Sequence, residues 1–161
     1  MSQLEEVHHY YEQLASNYDE DRFSNSYGSY IHSQEELILQ KYLHINGDSD
    51  KTVSLACGTG RFMEYATCGV DFSSNMIDIA RKKFPTKEFK VSGVDQTGFE
   101  DKSFDSVFSF HLFMHLEKEL CGKIITEAHR ITKSGGRFIF DFPSTKRRRI
   151  SQRKRESWHG S

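Results

Sequence analysis

From Thr52 onward, apolar residues gather in short runs at 52–57, 67–71, 88–92, 105–110 and 136–142, separated by segments in which they recur at helical spacing. Such alternation predicts βαβ units and a parallel sheet, so the fold class is α/β. Met76, Ile77, Ala80 and Phe84 form one helix face, ended by Pro85. Leu120, Ile124, Ala128 and Ile131 form a second, closed by Ser134-Gly135-Gly136. Between Phe62 and Thr67 a crossover helix has room for hardly two turns. The first third reads as helical, interrupted by a polar stretch from Tyr18 to Tyr30. Ser33-Gln34-Glu35-Glu36 has the capping-box form, which predicts a helix starting there and stopping near Asn46-Gly47. The pattern divides the chain into an N-terminal helical cap or lid (1–49), an α/β core (50–144) and a C-terminal tail (145–161).

The length of 161 residues suits one domain, and 36% apolar with 28% charged residues fits neither a disordered nor a membrane class. The polar start leads into no apolar segment, and Cys57, Cys68 and Cys121 lack the paired spacing of a zinc site or disulfide framework. A reducing cytoplasm is the expected setting, with no membrane association and no metal. The net charge of −1 hides an asymmetry: residues 1–145 hold 15 Lys and Arg against 22 Asp and Glu, and residues 146–161 hold 7 against 1. The clusters Lys146-Arg147-Arg148-Arg149 and Arg153-Lys154-Arg155 have no aromatic residue between them, which reads as a solvated or partner-facing segment and not as a nucleic-acid site.

The chemistry concentrates after the first apolar run. Val53-Ser54-Leu55-Ala56-Cys57-Gly58-Thr59-Gly60-Arg61-Phe62 reads as a strand, a glycine turn and the start of a helix. Gly58 and Gly60 would let the backbone bend sharply and approach a ligand, while a new helix would offer free N–H groups. The next run ends in Asp71, whose carboxylate at a strand's C-terminal edge could accept both hydroxyls of a ribose. Ser73 and Ser74 compete for the helix cap that follows, which frees Asp71 for a ligand. On that reading Asp71→Ala should weaken binding and leave the fold intact.

Four blocks then occur in order: Leu-Ala-Cys-Gly-Thr-Gly-Arg-Phe, Gly-Val-Asp-Phe-Ser-Ser-Asn-Met-Ile, Phe-Glu-Asp-Lys-Ser-Phe-Asp-Ser-Val and Ser-Gly-Gly-Arg-Phe-Ile-Phe-Asp-Phe. Over residues 50–142 this set resembles the class I (Rossmann-like) S-adenosylmethionine-dependent methyltransferases. The resemblance implies a three-layer, mostly parallel sheet in the order 3-2-1-4-5, here lacking the C-terminal strands of the full fold. It implies methyl transfer from S-adenosyl-L-methionine to an oxygen, nitrogen or carbon of a small-molecule acceptor. It also implies site residues. Ala56, Cys57, Gly58 and Gly60 would border the methionine part of the cofactor, and Asp71 would hold the ribose. Phe72 and Met76 would flank the adenine, with Val94 and Asp95 at its edge and Phe110 closing the pocket. Tyr18 and Arg22 lie in a segment resembling the family's N-terminal lid, where they would meet the cofactor's carboxylate end.

The chain departs from the family pattern at several positions. Ser54 stands where the family carries an acid, and a hydroxyl supplies no counter-charge; Ala56 occupies the family's first glycine position. Counted back from Phe99, the family's acidic residue falls on Gly93, with Asp95 two residues later. Methyl transfer is an in-line displacement in which the protein mainly aligns the acceptor. Where that acceptor is a hydroxyl or amine, His111 and His115, in the loop after the fourth strand, are the candidate bases. A nicotinamide dehydrogenase is disfavoured by Met63, which stands where the third glycine of its turn belongs. The alternative in a different class is a cofactor-binding module or truncated pseudoenzyme acting through a partner chain, and a homodimer or partner covering the exposed sheet edge is expected with either reading.

Overall fold

The structure is a computed structural model that describes residues 3–15, 18, 26–43 and 50–142. Two helices, α1 (Gln3–Leu14) and α2 (Ser26–Tyr42), precede the sheet. Its strands are β1 (Thr52–Leu55), β2 (Cys68–Asp71), β3 (Glu88–Val91), β4 (Phe104–Ser109) and β5 (Thr132–Phe140). All pair in parallel, in the order β3-β2-β1-β4-β5. Helix α3 (Ser74–Lys83) connects β2 to β3, and α4 (Lys118–Ile131) precedes β5.

The central strands β1 and β2 are buried at every position, as a parallel strand covered on both faces must be. Successive side chains point to opposite faces, so Val107 and Phe108 enter different cores. Phe108 packs with Leu39 and Leu43 at the end of α2 and with Ile77 of α3. Val107 packs with Val53, Leu55 and Val70, under Ala128 and Ile131 of α4. Three layers result, and α2 is part of one of them.

The boundaries differ from expectation at three places. Ser33 does not begin a helix: α2 starts at Ser26, and the Ser33 hydroxyl donates to the carbonyl of Ser29 at 3.0 Å, back-bonding within the helix. Asn46-Gly47, the expected stop, lies outside the described residues. The crossover from β1 to β2 carries no α-helix, only a 3-10 turn at Met63–Tyr65. It lies so close to β2 that a Cβ on Gly69 would sit 2.8 Å from Cys57 Sγ and 2.9 Å from Met63 Sδ. Finally, Ser134-Gly135-Gly136 does not separate α4 from β5. The strand begins at Thr132, directly after α4, and the three residues form a bulge where pairing jumps from Phe104↔Thr132 to Ser106↔Arg137. Lys133 Nζ anchors that bulge on the Asp105 carboxylate at 2.8 Å.

The loop from β3 to β4 has no helix and is held by a charge cluster built on the buried Glu127. Glu127 of α4 accepts from Thr97 N at 2.8 Å and Thr97 Oγ1 at 2.5 Å, and from Arg130 Nε and Nη2 at 2.8 and 2.7 Å. Arg130 Nη1 donates onward to the Phe99 carbonyl at 2.8 Å. The Arg130 guanidinium, foremost, holds the Glu127 carboxyl at about 2.

Candidate functional site

The chain leaves β1 through backbone that L-residues rarely adopt: φ is +55° at Ala56, +54° at Gly58 and +89° at Gly60. Ala56 therefore occupies a left-handed position with a Cβ, consistent with its alignment to a glycine. A Cβ on Gly58 would project into open space, so this turn exposes backbone to a cavity. Gly60 points the other way, against Ala80, Met63 and Phe84 at 3.3 Å, and lines neither cavity described below. Since no α-helix follows, helix N–H groups of the kind expected from the sequence are not available here.

Asp71, at the end of β2, ties this turn to the next one. Its Oδ2 accepts from Gly58 N at 2.8 Å and its Oδ1 from Ser73 N at 3.0 Å. Ser73 in turn caps α3 by accepting from Met76 N at 3.2 Å. The cap role thus falls to Ser73, as the sequence suggested, but Asp71 carries two backbone bonds of its own. Burial raises its pKa above the usual carboxylate value, while the N–H groups of Ser73, Gly58 and Phe72 pull the other way.

Two adjoining cavities open over these strand ends. The larger, about 850 Å³ including its mouth, is mostly apolar, and the smaller, about 420 Å³, is more polar. Both are lined by Tyr18, Ala56, Gly58, Phe110 and His111. Asp71, Phe72, Met76, Val94 and Asp95 line the larger; Cys57 and Ser54 line the smaller. Tyr11 of α1 also lines the larger, its ring edge-on to Phe72 with centroids 6.3 Å apart. Burial, reinforced by Asp71, pushes the Cys57 thiol well above its usual value, so it is a neutral wall group and not a nucleophile. Arg22 lies outside the described residues, and His115 ends a 3-10 turn at Phe113–His115.

Gly93 and Asp95 have a direct relation. Asp95 Oδ1 lies 2.7 Å from where a Cβ on Gly93 would stand, so the displaced carboxylate occupies the space left by the absent side chain at 93. The two-residue shift in sequence is largely cancelled in space.

Sequence reasoning missed three residues at the polar end: Glu35, Arg61 and Asp141. Glu35 of α2 is 6% exposed, accepts from the Arg61 guanidinium, and lies 2.6 Å from His111 Nε2. His111 N donates to Asp141 Oδ1 at 2.7 Å, and His111 itself has φ +61°. Arg61 lies over the Phe62 ring, 4.3 Å from its centroid. Burial pulls the Arg61 pKa down and the Glu35 carboxylate opposes that. Glu35, His111 and Asp141 bring ligand-type atoms within 4.8 Å of one another, but Glu35 is already committed to a guanidinium, whose charge opposes a cation. A signal for Glu35 was present: it interrupts an otherwise helical stripe of Gly28, Leu39 and Leu43, all buried.

A parallel sheet in this order, a left-handed turn after its first strand and a carboxylate closing the second define a class, the Rossmann-like S-adenosylmethionine-dependent methyltransferases. The family described as "Methyltransferase domain" matches residues 53–140, and the chain belongs to it. It is 36% identical over 96 residues to a demethylmenaquinone methyltransferase of Paenarthrobacter aurescens, covering 55% of this chain and 37% of that one. It is 26% identical over 151 residues to the ubiquinone/menaquinone biosynthesis C-methyltransferase UbiE of Campylobacter jejuni, covering 84% and 63%. The chain therefore spans less than two thirds of the length of either relative. Among solved structures, a possible histamine N-methyltransferase from Thermotoga maritima superposes with a TM-score of 0.67 at 26% identity, covering 92% of this chain and 69% of that one. Among the described residues no helix is long and apolar enough to cross a membrane.

Proposed function

We propose that the chain binds S-adenosyl-L-methionine along the joined cavities and directs its methyl group to a small-molecule acceptor. The observation that carries this is the pairing of an exposed left-handed turn at Ala56–Gly58 with the buried Asp71 carboxylate on the adjacent strand, at the carboxyl edge of a parallel sheet. The residues fit the cofactor: a polar compartment suits an amino-acid end, an apolar slot suits a purine, and open space over Gly58 admits close approach.

In this reading Asp71 accepts from the ribose hydroxyls with the lone pairs its backbone bonds leave. Phe72 and Met76 flank the adenine, and Val94 and Asp95 meet its edge. The turn from Ala56 to Gly58 borders the methionine part, with Cys57 as a neutral wall, while Gly60 packs against Ala80, Met63 and Phe84 beneath it. Phe110 closes the pocket, and Tyr18 and Arg22 are the residues of the N-terminal segment to meet the cofactor's carboxylate end. When bound, the cofactor supplies a methyl group on a sulfonium, a good leaving group, so the protein's task is alignment and exclusion of water. His111 and His115 are the residues to accept a proton where the acceptor is a hydroxyl or amine. The quinone-pathway names of the relatives support a small-molecule acceptor. A cytoplasmic setting belongs to the same reading, supported by three buried free thiols. So does a second chain against β5, supported by Phe140 and Phe142, which are 40% and 53% exposed.

Calorimetric titration tests the proposal. S-adenosylmethionine and its demethylated product should bind and a nicotinamide dinucleotide should not; binding of the dinucleotide alone refutes it. Transfer of a labelled methyl group to an acceptor pool then separates an enzyme from a binding module.

A further inference from the structure

Glu35 is out of place by the logic of its helix. It sits on the buried stripe of α2, where Gly28 and Leu39 face the core and Leu43 continues the line, and a carboxylate there carries a desolvation penalty that an apolar residue would avoid. Positions that break the pattern in this way concentrate at functional sites. Its two oxygens are divided between partners from different loops: one takes the guanidinium of Arg61, after the β1 turn, and the other lies 2.6 Å from Nε2 of His111, after β4. His111 is restrained a second and third time, by a left-handed backbone and by Asp141 at its N–H. Non-glycine residues hold such a backbone only where the surroundings over-determine them. Arg61 and His111 both line the smaller, polar cavity; Glu35 stands behind them.

We propose that Glu35 is a positioning residue, which holds the Arg61 guanidinium at the cavity wall, beside His111, as the receptor for the carboxylate at the amino-acid end of the S-adenosyl ligand. The inference rests on the cofactor reading above. A guanidinium does not replace the acid missing at Ser54, because it pairs with the ligand's carboxylate and not with its ammonium; it supplies the other half of that recognition, with its orientation set from the N-terminal segment. A guanidinium only 13% exposed would be pulled toward water without its carboxylate partner, and Glu35 keeps it at the cavity wall.

The experiment compares two ligands by calorimetry on the full chain: S-adenosylhomocysteine, which has the amino-acid end, and methylthioadenosine, which lacks it. Glu35→Gln should weaken S-adenosylhomocysteine at least tenfold and change methylthioadenosine less than twofold. Arg61→Gln should do the same, and the double variant should lose little more than either single one, because Glu35 acts through Arg61. Glu35→Asp, which keeps the charge but shortens the reach to Arg61, carries the test should Glu35→Gln fail to fold, and should show the same selective loss of S-adenosylhomocysteine. Equal loss for both ligands, no loss for either, or additive effects overturn the positioning role. Failure of the wild-type chain to bind either ligand overturns the cofactor reading itself, a result distinct from all of these.

Discussion

Replacing Asp71 by alanine removes more than a ligand contact, because the carboxylate joins two turns through Gly58 N at 2.8 Å and Ser73 N at 3.0 Å. Asp71 is 4% exposed, so water cannot readily replace it. Each hydrogen bond to a charged group contributes about 1.5–3 kcal/mol, and each buried donor left unpaired costs about 1–3 kcal/mol. Relief of the buried charge offsets part of this. The expected net loss for Asp71→Ala is about 2–4 kcal/mol, a large share of the roughly 5–15 kcal/mol of a typical domain. Asp71→Asn keeps one acceptor but turns an amide N–H₂ toward the second donor, so it should lose a smaller but measurable amount. Urea unfolding followed by circular dichroism measures both. Affinity for S-adenosylhomocysteine, taken where the variant is still folded, should fall by at least about a hundredfold, the lower bound for two lost bonds to a charged acceptor. An unfolding midpoint for Asp71→Ala indistinguishable from wild type would refute the structural half of the reasoning, and unchanged affinity the ribose half.

Two glycines should separate binding from stability. Gly58→Ala meets no atom but places a Cβ at φ +54° in the cavity, so it should cost about 1 kcal/mol of stability and weaken ligand binding clearly. Gly69→Ala drives a Cβ into Cys57 and Met63, so it should cost about 1–3 kcal/mol and, because only the Cys57 wall of the cavity is disturbed, weaken binding less than Gly58→Ala does, as read by thermal melting beside calorimetry. Glu127 has its carboxyl held from 4.5 down to about 2 by Arg130 and Thr97. A depressed carboxylate stabilises the fold above its unfolded value and loses that contribution as pH falls through the folded one. About 2–3 kcal/mol should therefore disappear between roughly pH 5 and pH 2. Glu127→Gln should flatten that part of the urea-midpoint profile, and an unchanged slope would refute it.

Much of the core was legible because its signals are local. Parallel strands buried on both faces must be short apolar runs, and β1, β2 and β4 read that way. Helix α3 announced itself by Met76, Ile77 and Ala80, by the Ser73 cap and by Pro85. The errors arose where a local rule met a tertiary constraint. Ser33 had capping chemistry but stands inside a longer helix. Ser134-Gly135-Gly136 had the form of a helix stop, yet the cross-strand demand of Asp105 and Lys133 made it a bulge. The β1 crossover, expected to hold a helix of hardly two turns, has residues enough only for a 3-10 turn against β2.

For the candidate site, the sequence by itself marked the glycine turn at Gly58–Gly60 and the carboxylate at Asp71, and the resemblance to the family added the aromatic and aliphatic residues beside them. Each depends on its position at the end of a strand, and strand ends follow from pattern and spacing. The tertiary structure decided what a linear reading could not order. Glu35, Arg61, His111 and Asp141 meet because β1 and β4 are neighbours and α2 lies across one face of the sheet. Asp95 fills the space beside Gly93 because a loop can fold a two-residue offset back on itself. Charges far apart in sequence leave no periodic trace, and only burial makes their pairing obligatory.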